Sequence, residues 1–405
     1  MSHPHAIVVG AGIGGLTAAR ALRRSGWTVR ILDRGDALAP TGAGMAVAPN
    51  ALRALEVIDA AEPVRRLAAM QGAAGIRDPR GRWLNRSDVA TAERAFGGPI
   101  VVTLRHQLVR ILSEGIPAAD LRTHTPVSGV EPGGPDAPAA VTTGAGERFE
   151  ADLVVVADGV RSRLRTALFP EHPGARHSGV TTWRAVLPAP PTPAEPAETW
   201  GDGRVVGLMP LADGRTYFYA AERAPEGRRH PDERAYLLSR FGHWHAPIGD
   251  LLAAAAPEDF LHHDVPEMLD PLPALHRGRA VVLGDAAHAM TPHVGQGGCQ
   301  AIEDAVTLAL LLDGATPADV PARLPHYTAA RAARTAALVR RSHNAARLAH
   351  ATGPVAVLRP ALLRLTGLLP TSVLARQFAP VFSWRPPAPG VPAVPGGAAR
   401  PAREV

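Results

Sequence analysis

The chain has 405 residues, a formal net charge of +6, and 46% hydrophobic but only 4% aromatic side chains. That is enough for two or three domains with cores of Ala, Val and Leu. All 43 basic residues are arginine, so Schiff-base and pyridoxal-phosphate chemistry and a Walker A loop, which need a lysine amine, are excluded. The arginines are dispersed, which argues against nucleic acid as a partner. The single cysteine, Cys299, excludes an internal disulfide and dithiol redox chemistry.

Residues 6–9 predict a short buried strand that opens onto Gly10-Ala11-Gly12-Ile13-Gly14-Gly15 and a helix over 16–24. In such a strand–turn–helix unit Gly10 makes the tight turn and Gly12 lets the backbone approach a pyrophosphate. Gly15 lets helix and strand pack closely. A second strand over 28–32 ends at Asp33, spaced to accept hydrogen bonds from an adenosine ribose, with Arg34 beside it. Residues 73–76 and 82–84 flank the turn Asp78-Pro79-Arg80-Gly81, a hairpin signal, and Arg105 opens a helical run over 106–113. Residues 121–130, 139–143 and 147–149 read as a β-meander, and an apolar strand then runs into Asp158-Gly159 and a basic helix start at Arg161.

After a Pro-rich connection over 188–196, the runs 180–187, 204–209 and 216–221 predict an antiparallel sheet, with helices at 232–241 and 247–255. Tyr217 and Tyr219 share one strand face and line either a substrate pocket or the core. Residues 280–283 form a strand delivering Gly284-Asp285 to its carboxyl end, where open α/β sheets bind ligands. Gly295, Gly297 and Gly298 then precede a helix over 299–312. A glycine-rich helix start admits close backbone approach and carries partial positive charge, suited to the negative charge of a reduced flavin. A strand-end carboxylate such as Asp285 suits the hydroxyls of a sugar-like chain. Together these features fit FAD better than NAD. Beyond Pro321 the chain is helical to 349, then apolar and proline-broken to about 382, and prolines from 386 onward predict a disordered tail.

Three motifs occur in order: the Gly10–Gly15 fingerprint, Asp158-Gly159 and Gly284-Asp285. In this the chain resembles the class A flavoprotein monooxygenases, the family of p-hydroxybenzoate hydroxylase, salicylate hydroxylase and zeaxanthin epoxidase. The resemblance implies an α/β protein with a Rossmann-type FAD-binding domain (1–72, 98–175 and 275–345). A second, antiparallel-sheet substrate domain (73–97 and 176–274), C-terminal helices (346–385) and the tail (386–405) complete it. It implies a single-component enzyme that takes electrons from NAD(P)H and oxygen from O2. Such an enzyme hydroxylates an electron-rich aromatic or epoxidises an alkene through a flavin C4a-hydroperoxide. No second nucleotide fingerprint follows the first, so NAD(P)H would bind transiently between domains.

By the same resemblance Asp158 and Arg161 touch FAD and the nicotinamide nucleotide, and Gly44 and Met45, ahead of Asn50, lie in a loop beginning at Gly42 beside the flavin. Arg105 reaches the FAD diphosphate or ribityl region, Arg184 of the Trp183-Arg184 pair sits near the isoalloxazine, and Pro292 borders its reactive edge. His293 contacts substrate or helps deprotonate a phenol, since imidazole titrates in the useful range. Each has a plainer reading: Arg105 as a surface charge, Asn50 as a helix cap, His293 as a loop histidine in water. Cys299 reads as a small helix-start residue, with a low-pKa thiol linked to flavin or sensing redox state as the other reading. His288 packs behind the Gly284-Asp285 turn. His262-His263-Asp264 suggests a metal, but neighbours on a strand point to opposite faces, so none is expected.

The expected partners are a small hydrophobic or aromatic substrate and O2, for a monomer or homodimer. Without a leader or a spanning segment the cytoplasm follows by default. The apolar run 354–369 is interrupted by Arg359, Pro360 and Arg364, too short and too charged for hydrocarbon; a shallow membrane-surface face is its other reading. Two further functions fit the same fold: an FAD-dependent isoprenoid double-bond reductase, and a non-catalytic binding protein on a flavoprotein scaffold.

Overall fold

The apolar runs His5–Val9, Leu153–Val156 and Ala280–Val282 lie side by side as parallel strands, almost wholly buried. Burial on both faces is why they read as continuous rather than alternating apolar segments. The computed structural model describes residues 3–36, 43–190, 195–367 and 371–390. In it these strands form the centre of a six-stranded sheet, flanked by Thr28–Leu32 and Leu121–Arg122 on one side and His276–Arg277 on the other. Only the last of these pairs antiparallel. Because the three central strands run in one direction, the turns at Gly10, Asp158 and Gly284 all emerge at the same carboxyl edge. Helix Ile13–Arg24 packs across this sheet against helix Gly297–Leu311.

A seven-stranded sheet stands over that edge, in the order Leu261–Glu267, Arg176–Leu187, Thr216–Arg223, Arg204–Pro210, Ala197–Trp200, Ala73–Arg77 and Trp83–Asp88. Its alternation separates two faces. Trp183, Ala185, Val206, Leu208 and Phe218 pack under helices Glu233–Phe241 and Ile248–Ala254. Arg184, Tyr217, Tyr219, Glu198 and Trp200 take the opposite face. The sequence reading had not found the strand Ala197–Trp200, the helix Val89–Phe96, or the antiparallel pair Gly44–Val47 with Val101–Leu104. The meander is a separate three-stranded sheet of Val127–Glu131, Ala139–Thr143 and Arg148–Ala151.

Helix Val320–Ala349 spans 30 residues and braces the FAD-side core. Helix Gly353–Thr366 turns an apolar face outward: Val355, Val357, Leu358, Leu362 and Leu365 are between 54% and 76% exposed. Among the described residues no helix is long and apolar enough to cross a membrane. The start of the expected disordered tail is held in place. Gly390 N–H donates to the Leu310 carbonyl at 3.0 Å, and just before the tail Arg53 Nε donates to the Trp384 carbonyl at 3.0 Å. The rest of that tail (391–405), Gly42 and residues 191–194 of the Pro-rich connection lie outside the described residues.

Candidate active site

At the first turn Gly10 has φ +102°, and a Cβ there would lie 2.3 Å from the Ala157 carbonyl oxygen. A Cβ on Gly15 would lie 1.8 Å from the Gly10 oxygen. Only glycine permits this closeness, which presses the fingerprint against the Asp158-Gly159 turn. Asp33 accepts from the backbone N–H of Ala11 at 2.6 Å and of Gly35 at 2.8 Å, so one carboxylate fixes two loops while keeping lone pairs for a ligand. Arg34 beside it is exposed. The Arg105 guanidinium lies 3.5 Å from the Cβ position of Gly12, and its backbone N–H donates to Ala43 O at 2.8 Å. That puts a positive charge directly over the glycine turn. Asp158 is held at the helix start that Ser162 caps; its Oδ1 is buried and has no partner among the described residues, and burial pushes its carboxyl upward.

Gly284 has φ +61° and hands the chain to the short helix Asp285–His288. Asp285 lies deep between the sheets yet is exposed, so it lines an interior hollow. Burial raises its carboxyl, against the lowering influence of His288, Arg105 and Arg184. The Cβ position of Gly297 is 3.8 Å from Asp285 Oδ1, that of Gly298 is 2.6 Å from Met45 Cε, and that of Gly44 is 2.6 Å from the Tyr217 ring. With Gly295 at φ +62°, these contacts join the glycine-rich helix start, the Gly44–Val47 strand and the substrate sheet around one space. Arg184 faces it and makes no ion pair among the described residues. An orphaned carboxylate oxygen, an arginine over a glycine turn and an open helix N-terminus facing Asp285 fit the parts of a dinucleotide flavin.

Behind this space lies a buried polar network that sequence reasoning had missed. Asp304 accepts from Gly284 N at 3.0 Å, His288 Nε2 at 2.6 Å and Arg331 Nε at 2.7 Å. Glu303 accepts from Arg331 at 2.5 Å, Arg334 at 2.7 Å and Asn50 at 2.6 Å. The neighbouring positive charges overcome burial and hold both carboxyls below the usual range. Asn50 does not cap its helix, whose N-cap is Ala48; its amide N–H₂ belongs to this network. The available signal was the pair Glu303-Asp304 inside an otherwise apolar helix.

One expectation needs correction. His293 is not a loop histidine free in water. Its Nε2 lies 2.9 Å from His350 Nε2, while His350 Nδ1 bonds the Gly203 carbonyl at 2.9 Å. Since the carbonyl can only accept, His350 donates through Nδ1 and accepts at Nε2, and His293 Nε2 is the donor. Burial, with His350 adding to it, pushes the His293 imidazole down to about 3, so it is no general base near neutral pH. The Cys299 thiol is not activated, in keeping with its reading as a small helix-start residue: it is buried, its Sγ lies 3.4 Å from Ala46 O and 3.5 Å from Gly295 O, and burial pushes it up to about 12. His262 uses both ring nitrogens within the protein, Nδ1 with Glu233 at 2.6 Å and Nε2 with Thr181 at 2.7 Å.

Beside the Asp158-Gly159 turn, Arg161, Arg163, Arg176 and His177 line a cleft of about 390 Å³ facing Glu226 and Asp264. Arg165 instead turns inward, donating to Val160 O at 3.0 Å and Ala286 O at 3.2 Å, and so ties the second motif turn to the third.

Residues 4–342 match the model of the FAD binding domain family. The chain is 38% identical over 331 residues to the aurachin C monooxygenase/isomerase of Stigmatella aurantiaca, covering 81% of this chain and 85% of the relative. It is 33% identical over 314 residues to the 2-heptyl-3-hydroxy-4(1H)-quinolone synthase of Pseudomonas aeruginosa, covering 75% and 80%. Klebsiella pneumoniae HpxO, solved with FAD and uric acid, superposes with a TM-score of 0.86 at 27% identity, over 94% of this chain and 97% of that one.

Proposed function

The chain belongs to the class A FAD-dependent monooxygenases, and from that premise we propose that it hydroxylates an electron-rich heteroaromatic ring with NAD(P)H and O2. The observation that carries the reading is the convergence of three motif turns on one sheet edge, under a substrate sheet whose facing side is aromatic and polar. The relatives support the substrate class, since one is a 4(1H)-quinolone synthase and another was solved with uric acid bound. We assign the FAD-binding unit to residues 1–72, 98–175 and 275–345, and the substrate unit to 73–97 and 176–274.

When bound, FAD supplies the electron transfer and oxygen activation. The fingerprint turn and the N-terminus of helix Ile13–Arg24 hold its diphosphate, with Arg105 balancing the charge. Asp33 and Arg34 flank the ribose, Asp158 closes the same edge, and Asp285 accepts from the ribityl chain. The N–H groups at Gly297 and Gly298, with Gly295 leading into them, favour negative charge on the ring system. Gly44, Met45 and Pro292 wall the chamber; Arg184, Tyr217 and Tyr219 face the substrate and keep bulk water out. His293 holds the Pro292 loop against His350 rather than moving a proton.

Arg161 and its neighbours in the adjoining cleft hold the phosphates of NAD(P)H. Arg161→Ala should raise the KM for NAD(P)H about tenfold, the scale of one charge-assisted hydrogen bond, and leave FAD content unchanged. Loss of FAD alone, or of both in proportion, would remove the nicotinamide role.

A further inference from the structure

Of the eight large apolar side chains that stay exposed among the described residues, seven lie between residues 348 and 378. Scattered singly they would need no explanation, but gathered in one region they mark a surface that meets a partner. Their centre is helix Gly353–Thr366. Val355, Leu358, Leu362 and Leu365 follow at intervals of three and four residues, which sets them on one stripe, and each is more than half exposed.

The helix is not free to roll this stripe inward. Its inner side carries Arg359, which is buried and donates to the carbonyls of Leu348 at 2.9 Å, Ala349 at 2.6 Å and Gly201. The same guanidinium lies 5.3 Å from the centre of the Trp200 ring. Turning the leucines toward the protein would pull a charged group off three acceptors. Helix Thr371–Phe382 hangs from the same support, helix Val320–Ala349. There Arg334 and Arg341 donate to the carbonyls of Pro380 and Gln377 at 2.8 and 2.7 Å. Positions 334, 341 and 348 are two turns apart in succession, so one side of that helix carries the whole C-terminal segment.

Charge selects the partner. Residues 320–403 hold twelve of the 43 arginines and none of the 37 acids, so the net +6 of the chain is +12 there and −6 in the remainder. Arg331 and Arg334 are bound to buried Glu303 and Asp304, whereas Arg347, beside the Leu348 carbonyl that holds the helix, and Arg364 on the helix itself are exposed. Asp78, which Arg364 approaches at 3.7 Å, is buried and already bound by Arg82. We propose that helix Gly353–Thr366, with Arg347 and Arg364, docks the chain on an anionic phospholipid surface, lying in the plane of the headgroups, whatever reaction the chamber performs. The leucines enter the acyl boundary and the guanidinium groups meet the headgroup phosphates. A second copy of the chain fits less well. Five side chains on a helix about 21 Å long fall short of the roughly 800 Å² that each partner gives a stable interface. Each copy would also bring arginines that no acid from 320–403 could meet.

The test floats the FAD-loaded full chain with vesicles of phosphatidylcholine alone, and of phosphatidylcholine and phosphatidylglycerol in equal parts. The wild type should bind the mixed vesicles about tenfold or more tighter than the neutral ones, and lose that preference in high salt. Leu358→Ser with Leu362→Ser should weaken binding to the mixed vesicles about tenfold or more. FAD content and thermal midpoint should stay as in the wild type, because both side chains are already exposed. Arg347→Gln with Arg364→Gln should bring the two kinds of vesicle close together in affinity. A chain ending at residue 390 should float as the full chain does. Absence of the wild type from the mixed vesicles, or flotation that the serine pair leaves intact, overturns the proposal. So does flotation lost with residues 391–405, which would give the lipid to the tail. A wild-type dimer that the serine pair dissociates would give the face to a second copy and overturn it equally.

Discussion

Asp33 is the residue we propose for the ribose of FAD. Its two oxygens already take the N–H groups of Ala11 and Gly35, so the remaining lone pairs would be offered by a group that cannot swing away. Asp33→Ala should weaken FAD by about 1.5–3 kcal/mol, roughly tenfold to a hundredfold in Kd. Titration of apoprotein with FAD measures this, and an unchanged Kd would place the ribose contact elsewhere. His293 has the opposite character, a group whose ionisation is suppressed. Its imidazole lies near 3 in the folded chain against 6.5 ordinarily. As pH falls below 6.5 the unfolded chain gains a proton that the folded chain refuses, so stability is complete above 6.5 and declines below it. His293→Asn should flatten the fall in thermal midpoint between about pH 6.5 and 5, and the kcat profile of the wild type should carry no inflection from this residue. Superimposable midpoint curves for the two proteins would mean that His293 titrates freely.

Helices Gly297–Leu311 and Val320–Ala349 are joined by ions rather than by apolar packing alone. Arg331 is fully buried between Glu303 and Asp304, and Asp304 in turn anchors the Gly284 turn that presents Asp285. Arg331→Met removes the charge that two buried carboxylates share, leaving Glu303 to Arg334 and Asp304 to His288, and should cost about 3–5 kcal/mol in urea unfolding, with FAD occupancy falling alongside. The acid limb follows from the same geometry. The depressed Asp304 carboxyl contributes fully above the ordinary carboxylate range, about pH 4, and its contribution is lost as pH falls below that. An unchanged urea midpoint in Arg331→Met would show that the helices are held by other contacts.

The elements also show what the sequence could reveal. The three motif strands were legible because burial on both faces writes a continuous apolar run and each ends on a glycine that its turn requires. Ala197–Trp200 was not legible, because Thr199 takes the buried face and Trp200 the opposite one, which inverts the apolar-polar alternation that marks a strand. Arg331 hid among the arginines of a helix whose others look solvated. His293 was misjudged because its partner, His350, is 57 residues distant.

In the whole molecule, the six-stranded sheet presents the three motif turns that we propose hold FAD, and the seven-stranded sheet carries Arg184, Tyr217 and Tyr219 on one face. Every contact around that chamber bears on one claim: this chain passes electrons from NAD(P)H through FAD to insert one atom of O2 into an aromatic ring. The direct test is turnover of the FAD-loaded protein under ¹⁸O₂ with a 4(1H)-quinolone and with 4-hydroxybenzoate, following NAD(P)H oxidation, O2 uptake and the isotope in the product. The account predicts one labelled oxygen atom in each hydroxylated product, with O2 uptake matching NAD(P)H oxidation. A reduced product formed without O2 uptake, or an oxygen derived from water, would contradict it.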